Sequence, residues 1–174
     1  MTLVVAGADA DLPWWGEGFS ELSPSDPFGR SRTAEIDWST PARTSVIAEF
    51  RRMLLELANA ERRAHGCKPL KSDPRLQRSA QSHVDDMALR NYHDHNSPQG
   101  ANPGDRMLAA GYHWSAWGEN LLRGSLTPAA TMQGWLTSYG HRHNILDCAW
   151  TDTGIGLNLS SLGPWWAQDF ATRG

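Results

Sequence analysis

Residues 153–170 read TGIGLNLSSLGPWWAQDF and contain two short segments separated by a break of Ser, Gly and Pro. In residues 153–159, apolar and other residues alternate with a period of two, which is typical of a half-buried strand. Residues 165–170 are rich in aromatic and apolar side chains and predict a second strand that returns antiparallel to the first. The C-terminal end of the chain is therefore predicted to form a β-hairpin.

Upstream of this hairpin, apolar residues recur every three or four positions, as in Ile47, Phe50, Leu54 and Leu57. This period predicts a first helix that begins near Thr44 and ends at Gly66. A capping residue followed by proline marks the starts of three more helices: Asp73-Pro74, Asn102-Pro103 and Thr127-Pro128. Helices that precede a terminal hairpin predict an α+β fold, with helices covering an antiparallel sheet.

Two connecting segments are less regular. Residues 112–117 are predicted to form a loop or a short strand, because aromatic residues alternate imperfectly there. The helix that starts after Thr127 is predicted to end at Gly140, and residues 141–144 are predicted to form a turn.

The chain is long enough for one domain, with 174 residues. Residues 1–42 are predicted to be an N-terminal extension, since Pro, Gly, Ser, Asp and Glu interrupt every short apolar run. Residues 43–174 form the predicted domain. The extension holds Trp14, Trp15, Phe28 and Trp38, and the sequence leaves open whether it packs on the domain or moves freely.

Charge and hydropathy narrow the classes of partner. The formal net charge is −3 and no block of Lys or Arg occurs, which disfavours nucleic acid. No apolar run is long enough to span a bilayer, and the N-terminus shows no signal-peptide pattern. We expect a monomer whose ligand is a small molecule, a lipid or a protein.

Tryptophan and cysteine each leave two interpretations open. Nine tryptophans indicate either a Trp-rich core or an apolar groove. Cys67 and Cys148 are expected to form a disulfide in an exported protein and to remain buried thiols in a cytosolic one. Neither lies in a Cys-x-x-Cys spacing, so a redox motif or a cysteine-based zinc site has little support.

The candidate site centres on Glu119 in the stretch Gly118-Glu119-Asn120, between histidine-containing segments at residues 93–95 and 141–143. These segments are expected in loops or at the ends of elements. His95, Glu119 and His141 supply the imidazole nitrogens and carboxylate oxygen that divalent metals, zinc above all, bind in proteins. The sequence therefore offers these three residues as candidate metal ligands.

Other polar residues near these positions are expected to line the same cavity: His93, His143, Asn120, Asn144 and Ser138. The nearby histidines make a four-histidine site an alternative. A second alternative is a buried hydrogen-bond network in which Glu119 accepts from histidine or backbone N–H groups. Nucleophilic catalysis has little support, because no serine lies in a Gly-x-Ser-x-Gly turn. His83, close to an apolar helical stripe, is interpreted as a core or boundary residue.

The order of the motifs resembles the CAP superfamily (cysteine-rich secretory, antigen 5 and pathogenesis-related 1 proteins), particularly its compact bacterial members. The resemblance spans about residues 46–171. Its main carriers are NAER at 59–62, HNSPQG at 95–100, GEN at 118–120, GHRHNIL at 140–146 and WAQDF at 166–170. The resemblance implies an α-β-α sandwich with a small antiparallel sheet between helical layers.

Many members of this family place two histidines and two glutamates around a central cavity. His95, Glu119 and His141 match three of them, whereas the second glutamate would fall near Ser138, where this chain has no carboxylate. A non-enzymatic binding module able to hold a divalent metal is therefore expected. The alternatives are a metal-dependent peptidase or esterase with Glu119 as general base, and a lipid- or sterol-binding protein with an apolar groove.

The family is mostly exported, so the resemblance also implies an extracellular location. An extracellular location would favour a bridge between Cys67 and Cys148.

Overall fold

A five-stranded sheet lies between two layers of helices in the computed structural model, which describes residues 4–5 and 40–174. The strands are β1 (Val4–Val5), β2 (Lys71–Ser72), β3 (Trp114–Arg123), β4 (Asp152–Ser160) and β5 (Gly163–Arg173). The helices are α1 (Thr40–Ala64), α2 (Pro74–Arg90), α3 (Pro103–Ala109), α4 (Pro128–Thr137) and α5 (Tyr139–Leu146). The order of strands across the sheet is β1-β3-β5-β4-β2. The predicted α+β class and layered arrangement are confirmed.

The three long strands are antiparallel, and the predicted hairpin is formed by β4 and β5 with Ser161 and Leu162 in its turn. The two-residue strands β1 and β2 pair in parallel with β3 and β4, so the sheet is mixed at its edges. The register sets Glu119 of β3 opposite Asp169 of β5. Position 169 in turn lies opposite Gly154 of β4.

Alternate residues of β5 face different helical layers, as the pleat of a strand requires. Trp166 and Phe170 pack in a core cluster with residues of α1, α4 and α5. Trp165 and Ala167 pack against α2. Asp169 follows Trp165 by four residues in β5, so both side chains point to the same face of the sheet. Asp169 and its cross-strand neighbour Glu119 therefore lie on the α2 side.

Close contact between α2 and β4 depends on two glycines. A Cβ atom at Gly154 would lie 2.1 Å from the backbone nitrogen of Gln77. A Cβ atom at Gly156 would lie 2.3 Å from the carbonyl oxygen of Ala80. The helix backbone thus occupies the space that side chains would need, and this brings α2 directly over the centre of the sheet.

The cap-then-proline motifs open helices as predicted. Asp73 accepts a hydrogen bond from Arg75 N at 2.8 Å, and Asn102 accepts one from Asp105 N at 3.0 Å. The first helix differs, since α1 begins at Thr40 rather than near Thr44. Proline at position 41 falls in its first turn, where the missing N–H has no intrahelical partner to lose.

Three predictions in and around the candidate site were wrong. Glu119 lies in the middle of the ten-residue strand β3 rather than in a loop or at an element end. Residues 141–144 lie within α5 rather than in a turn. The break between α4 and α5 occurs at Ser138, whose extended backbone (φ −87°, ψ 127°) separates the helices, so Gly140 is not a helix end.

The tryptophans in the described part of the chain mostly fill the core. Trp135, Trp165 and Trp166 are fully buried, and Trp117 and Trp150 are nearly so. This confirms the core interpretation for these residues. Most of the predicted N-terminal extension, with the tryptophans at positions 14, 15 and 38, lies outside the described residues.

A disulfide joins Cys67 to Cys148, with the two Cα atoms 4.9 Å apart. It ties the segment after α1 to the segment after α5. Across residues 4–5 and 40–174, none of the helices is long and apolar enough to cross a membrane.

Candidate functional site

Glu119 is fully buried, and both of its carboxylate oxygens accept hydrogen bonds. His95 Nδ1 lies 2.7 Å from Oε1, and Arg106 Nη2 lies 2.6 Å from Oε2. Burial raises the pKa of Glu119, but the hydrogen bond from His95 and the charge of Arg106 outweigh it. The pKa of Glu119 therefore lies below its ordinary value, and the carboxylate is ionised.

Arg106 connects this carboxylate to the histidine-containing loop. Its Nη1 donates to the carbonyl oxygens of His95 at 2.8 Å and Ala101 at 3.1 Å. The short helix α3 that carries Arg106 is fixed by a reciprocal capping box between Asn102 and Asp105. The sequence motifs did not indicate Arg106 as a site residue. The available signal was its position in the short helix α3, which follows the histidine-containing loop.

Asp169 is a second buried carboxyl group beside Glu119. It lies directly opposite Glu119 in the β3–β5 ladder, and neither side chain is exposed. Ser79 and Glu119 are close enough to affect the pKa of Asp169, but neither of its carboxylate oxygens has a partner at hydrogen-bonding geometry in the described part of the chain. Burial, followed by the charge of Glu119, raises the pKa of Asp169 well above its ordinary value and favours its neutral form. These opposite shifts favour a single negative charge on the pair, and Arg106 lies beside it as the counterion.

Sequence reasoning placed Asp169 on a strand but not in the site. The signal that could have found it is a charged residue at an inward-facing position of an otherwise apolar strand. Glu119 therefore does have a second carboxyl group beside it, but this group belongs to Asp169 of β5 and not to a residue near Ser138.

His83 of α2 lies in the layer above the two carboxyl groups. It is 1% exposed, and its Nε2 lies 2.9 Å from the carbonyl oxygen of Asp94. Burial lowers the pKa of His83, which favours the neutral imidazole. This burial agrees with the interpretation of His83 as a core residue, although its buried Nδ1 has no hydrogen-bond partner in the described part of the chain.

On the opposite face of β3, Asn120 and Asn144 anchor α5 to the sheet. Asn144 Nδ2 donates to Asn120 Oδ1 at 3.0 Å and to the carbonyl oxygen of Glu119 at 3.2 Å. Asn120 Nδ2 donates to the carbonyl oxygen of His141 at 3.0 Å. These hydrogen bonds bring His141 next to β3 through its backbone.

His93 and His143, two of the remaining predicted cavity residues, are exposed. The His93 ring packs 6.1 Å from the Trp165 ring, and partial desolvation there lowers the pKa of His93. His143 stacks on Tyr139 with the ring centres 6.4 Å apart. Of the three predicted ligands, His95 and Glu119 are in direct contact. The described residues contain no cluster of three or more His, Cys, Asp or Glu arranged to hold a metal ion.

The fold and the site together define an α-β-α domain with a buried His–Glu–Arg network at the centre of its sheet. Residues 55–170 match the profile of the cysteine-rich secretory protein (CAP) family. The chain belongs to this family, as its sequence motifs predict.

Two curated relatives come from Bacillus subtilis (strain 168). The uncharacterized protein YkwD is 38% identical over 138 residues, which cover 79% of this chain and 53% of YkwD. The uncharacterized membrane protein YlbC is 30% identical over 122 residues, which cover 70% of this chain and 34% of YlbC. The chain thus spans about half and about a third of the lengths of these relatives.

Solved structures show the same fold. An extracellular protein with an SCP domain from Bacillus anthracis str. Ames is 29% identical, with a TM-score of 0.71, covering 78% of this chain and 44% of that one. An outer surface protein from Borrelia burgdorferi has a TM-score of 0.68 at 16% identity, covering 72% of this chain and 94% of that one. The second likeness concerns the fold alone.

Proposed function

We propose that this CAP domain is a binding module rather than an enzyme. The observation that carries this proposal is that Glu119 is fully buried and that each of its oxygens already accepts a hydrogen bond, one from His95 and one from Arg106. A general base needs a lone pair directed at the water or group that it deprotonates. Glu119 in this arrangement serves to hold other groups in place, which disfavours the hydrolase alternative.

The side chains of His95, His141 and Glu119 fit a metal ion only in part. The charge of Arg106 beside Glu119 opposes a cation bound directly to that carboxylate. The contact between His95 Nδ1 and Glu119 instead matches the way a metal-binding imidazole is oriented by a carboxylate behind it. His95, with His141 of α5 as its proposed companion, would hold Zn²⁺ while Glu119 fixes the His95 ring. A zinc ion there would supply a Lewis-acidic binding point for a ligand atom.

Replacing His95 by alanine is expected to weaken Zn²⁺ binding by about tenfold or more, because an imidazole ligand is lost. Glu119→Gln is expected to weaken it by about 10- to 100-fold, the usual cost of removing the group that orients a ligand. Isothermal titration of the folded variants with zinc chloride measures both effects.

His113→Ala is the matched control, since His113 is exposed and lies just before β3, outside the His95–Glu119 contact. It should bind Zn²⁺ as the unchanged protein does. Equal binding by the unchanged protein and His95→Ala, or no binding by either, would refute the metal proposal.

A second candidate function is lipid binding in an apolar groove between α1 and the β4–β5 hairpin. The groove has a volume of about 460 Å³ and is lined by Val46, Phe50, Leu126, Leu159, Ser160, Ser161 and Pro164. Leu126 is 73% exposed, so its side chain is accessible to a ligand in the groove. None of the tryptophans in the described part of the chain lines this groove, so the candidate no longer rests on them.

Leu126→Asp is expected to weaken the binding of a fluorescent fatty acid such as cis-parinaric acid by about tenfold, because a charge would face its apolar chain. Leu89→Asp is the matched control: Leu89 is 85% exposed and lies on α2, away from the groove. A fluorescence titration distinguishes the two variants. Equal loss in both, or no effect in either, would argue against a lipid in this groove.

We also propose that the domain works outside the cytoplasm. The Cys67–Cys148 disulfide supports this location, since cytosolic thiols are normally kept reduced. Two proteins of similar fold are described as an extracellular protein and an outer surface protein.

A further inference from the structure

A second pocket, separate from both the Glu119 site and the apolar groove, lies between α1, α2 and the β4 edge of the sheet. It has a volume of about 270 Å³. One face of α1 contributes Ala48, Arg51, Arg52 and Leu55, and the remaining lining residues are Ser72, Gln77, Thr153 and Ile155. The pocket therefore combines two guanidinium groups and polar side chains with an apolar wall.

Arg51 is half-buried and has no carboxylate partner in the described part of the chain. Its Nη2 donates to Gln81 Oε1, a neutral acceptor, and its buried Nε has no hydrogen-bond partner there. Burial lowers the pKa of Arg51, as expected where a charge has lost water without gaining a counterion. The guanidinium retains hydrogen-bonding capacity and positive charge that the described residues leave unmatched.

Acidic groups on the helices beside the pocket have other partners. Glu49 and Glu56 both pair with Arg52 on the exposed side of α1. Asp85 accepts from Gln81 Nε2 at 2.8 Å and from Asn158 Nδ2 at 2.7 Å. Asp85 therefore acts on Arg51 only at longer range, through the intervening Gln81. The charge of Arg52 is neutralised locally, so Arg51 is the cation available to a ligand.

The apolar wall indicates what else the ligand carries. Leu55 is half-buried and contributes most of the aliphatic surface, whereas Ile155, which is 4% exposed, adds only a small patch at the edge of the core. A guanidinium group binds a carboxylate through paired N–H donors, and an adjacent aliphatic wall favours a short hydrocarbon chain.

We infer that this pocket is a binding site for a small monocarboxylate with a short apolar chain, whose carboxylate pairs with Arg51 and whose chain lies against Leu55 and Ile155. The site uses a different face of α1 from the apolar groove, which is lined by Val46 and Phe50. It is also independent of the His95–Glu119 contact. Its occupancy therefore does not depend on the binding functions proposed above.

Hexanoate is a suitable probe, followed by ¹⁵N–¹H NMR titration of the full chain. Hexanoate should shift the amide signals of Ser72, Thr153 and Ile155 in a saturable way, whereas hexylammonium should not. Arg51→Gln should weaken hexanoate binding by about tenfold or more, since a charge-assisted hydrogen bond is lost. Arg51→Lys, which keeps the charge, should retain part of the affinity.

Two control variants test whether hexanoate binds in this pocket and not elsewhere on the domain. Arg63→Gln removes an exposed charge from the same helix and should leave hexanoate affinity unchanged. Leu126→Asp alters the apolar groove and should also have no effect. The inference fails if hexanoate produces no saturable shifts, if Arg51→Gln binds as well as the unchanged protein, or if hexylammonium shifts the same signals equally.

Discussion

Replacing Arg62 by alanine should lower the free energy of unfolding by about 3–5 kcal/mol, a large part of the stability of a typical domain. Arg62 is fully buried near the end of α1. Its guanidinium donates to four carbonyl oxygens, those of Lys68 at 3.0 Å, Ile145 at 2.9 Å, Asp147 at 2.8 Å and Trp150 at 3.1 Å. The alanine variant would lose these charge-assisted bonds, leave buried carbonyl groups without a donor and open a cavity.

Urea unfolding of the oxidised protein measures this effect. Arg63→Ala is the matched control, because Arg63 is the next residue on the same helix and is exposed; its effect should stay within about 0.5 kcal/mol. Arg62→Lys should recover little stability, since an ammonium group has three donors and lacks the planar fork of the guanidinium. A loss of less than about 1 kcal/mol in Arg62→Ala, on the scale of one ordinary hydrogen bond, would contradict this account.

Reduction of the Cys67–Cys148 disulfide should lower the free energy of unfolding by about 4 kcal/mol. The bridge spans 81 positions, and restricting a loop of this length removes much of the entropy of the unfolded chain. The location of the bridge adds to this effect. The bridge joins the end of α1 to the segment after α5, and Arg62 holds the same junction through its hydrogen bonds. Urea unfolding with and without a phosphine reductant measures the difference.

The control for reduction is Cys67→Ser/Cys148→Ser, which should be about as stable as the reduced protein and should not respond to the reductant. A reductant effect of the same size in the serine variant would assign the loss to something other than the bridge. Equal stability of the oxidised and reduced protein would show that the disulfide does not stabilise the domain.

Local sequence chemistry was sufficient for most of the fold. Asp73-Pro74, Asn102-Pro103 and Thr127-Pro128 open α2, α3 and α4, because a side-chain cap and a proline in the first turn act within a few residues. The period-two pattern of residues 153–159 likewise predicted β4. The strand around Glu119 was not predicted. One face of β3 carries small or polar residues, so apolar and polar residues do not alternate clearly along it.

The site was predicted less completely than the fold. The family motifs indicated both His95 and Glu119 as site residues, and the structure places these two side chains in contact. Arg106 and Asp169 were missed because their roles arise from contacts distant in sequence. His141 was named as a ligand, and the structure places its backbone against Asn120.

The sequence by itself determined the starts of α2, α3 and α4, the terminal hairpin and the family, since these depend on short-range patterns and on the order of motifs. Only the tertiary structure decided what surrounds the Glu119 carboxylate. The register of β3 against β5 sets it opposite Asp169, and the fold of residues 95–106 brings His95 and Arg106 to its two oxygens. Strand register and long-range packing follow from the burial of whole faces, which no short stretch of sequence specifies.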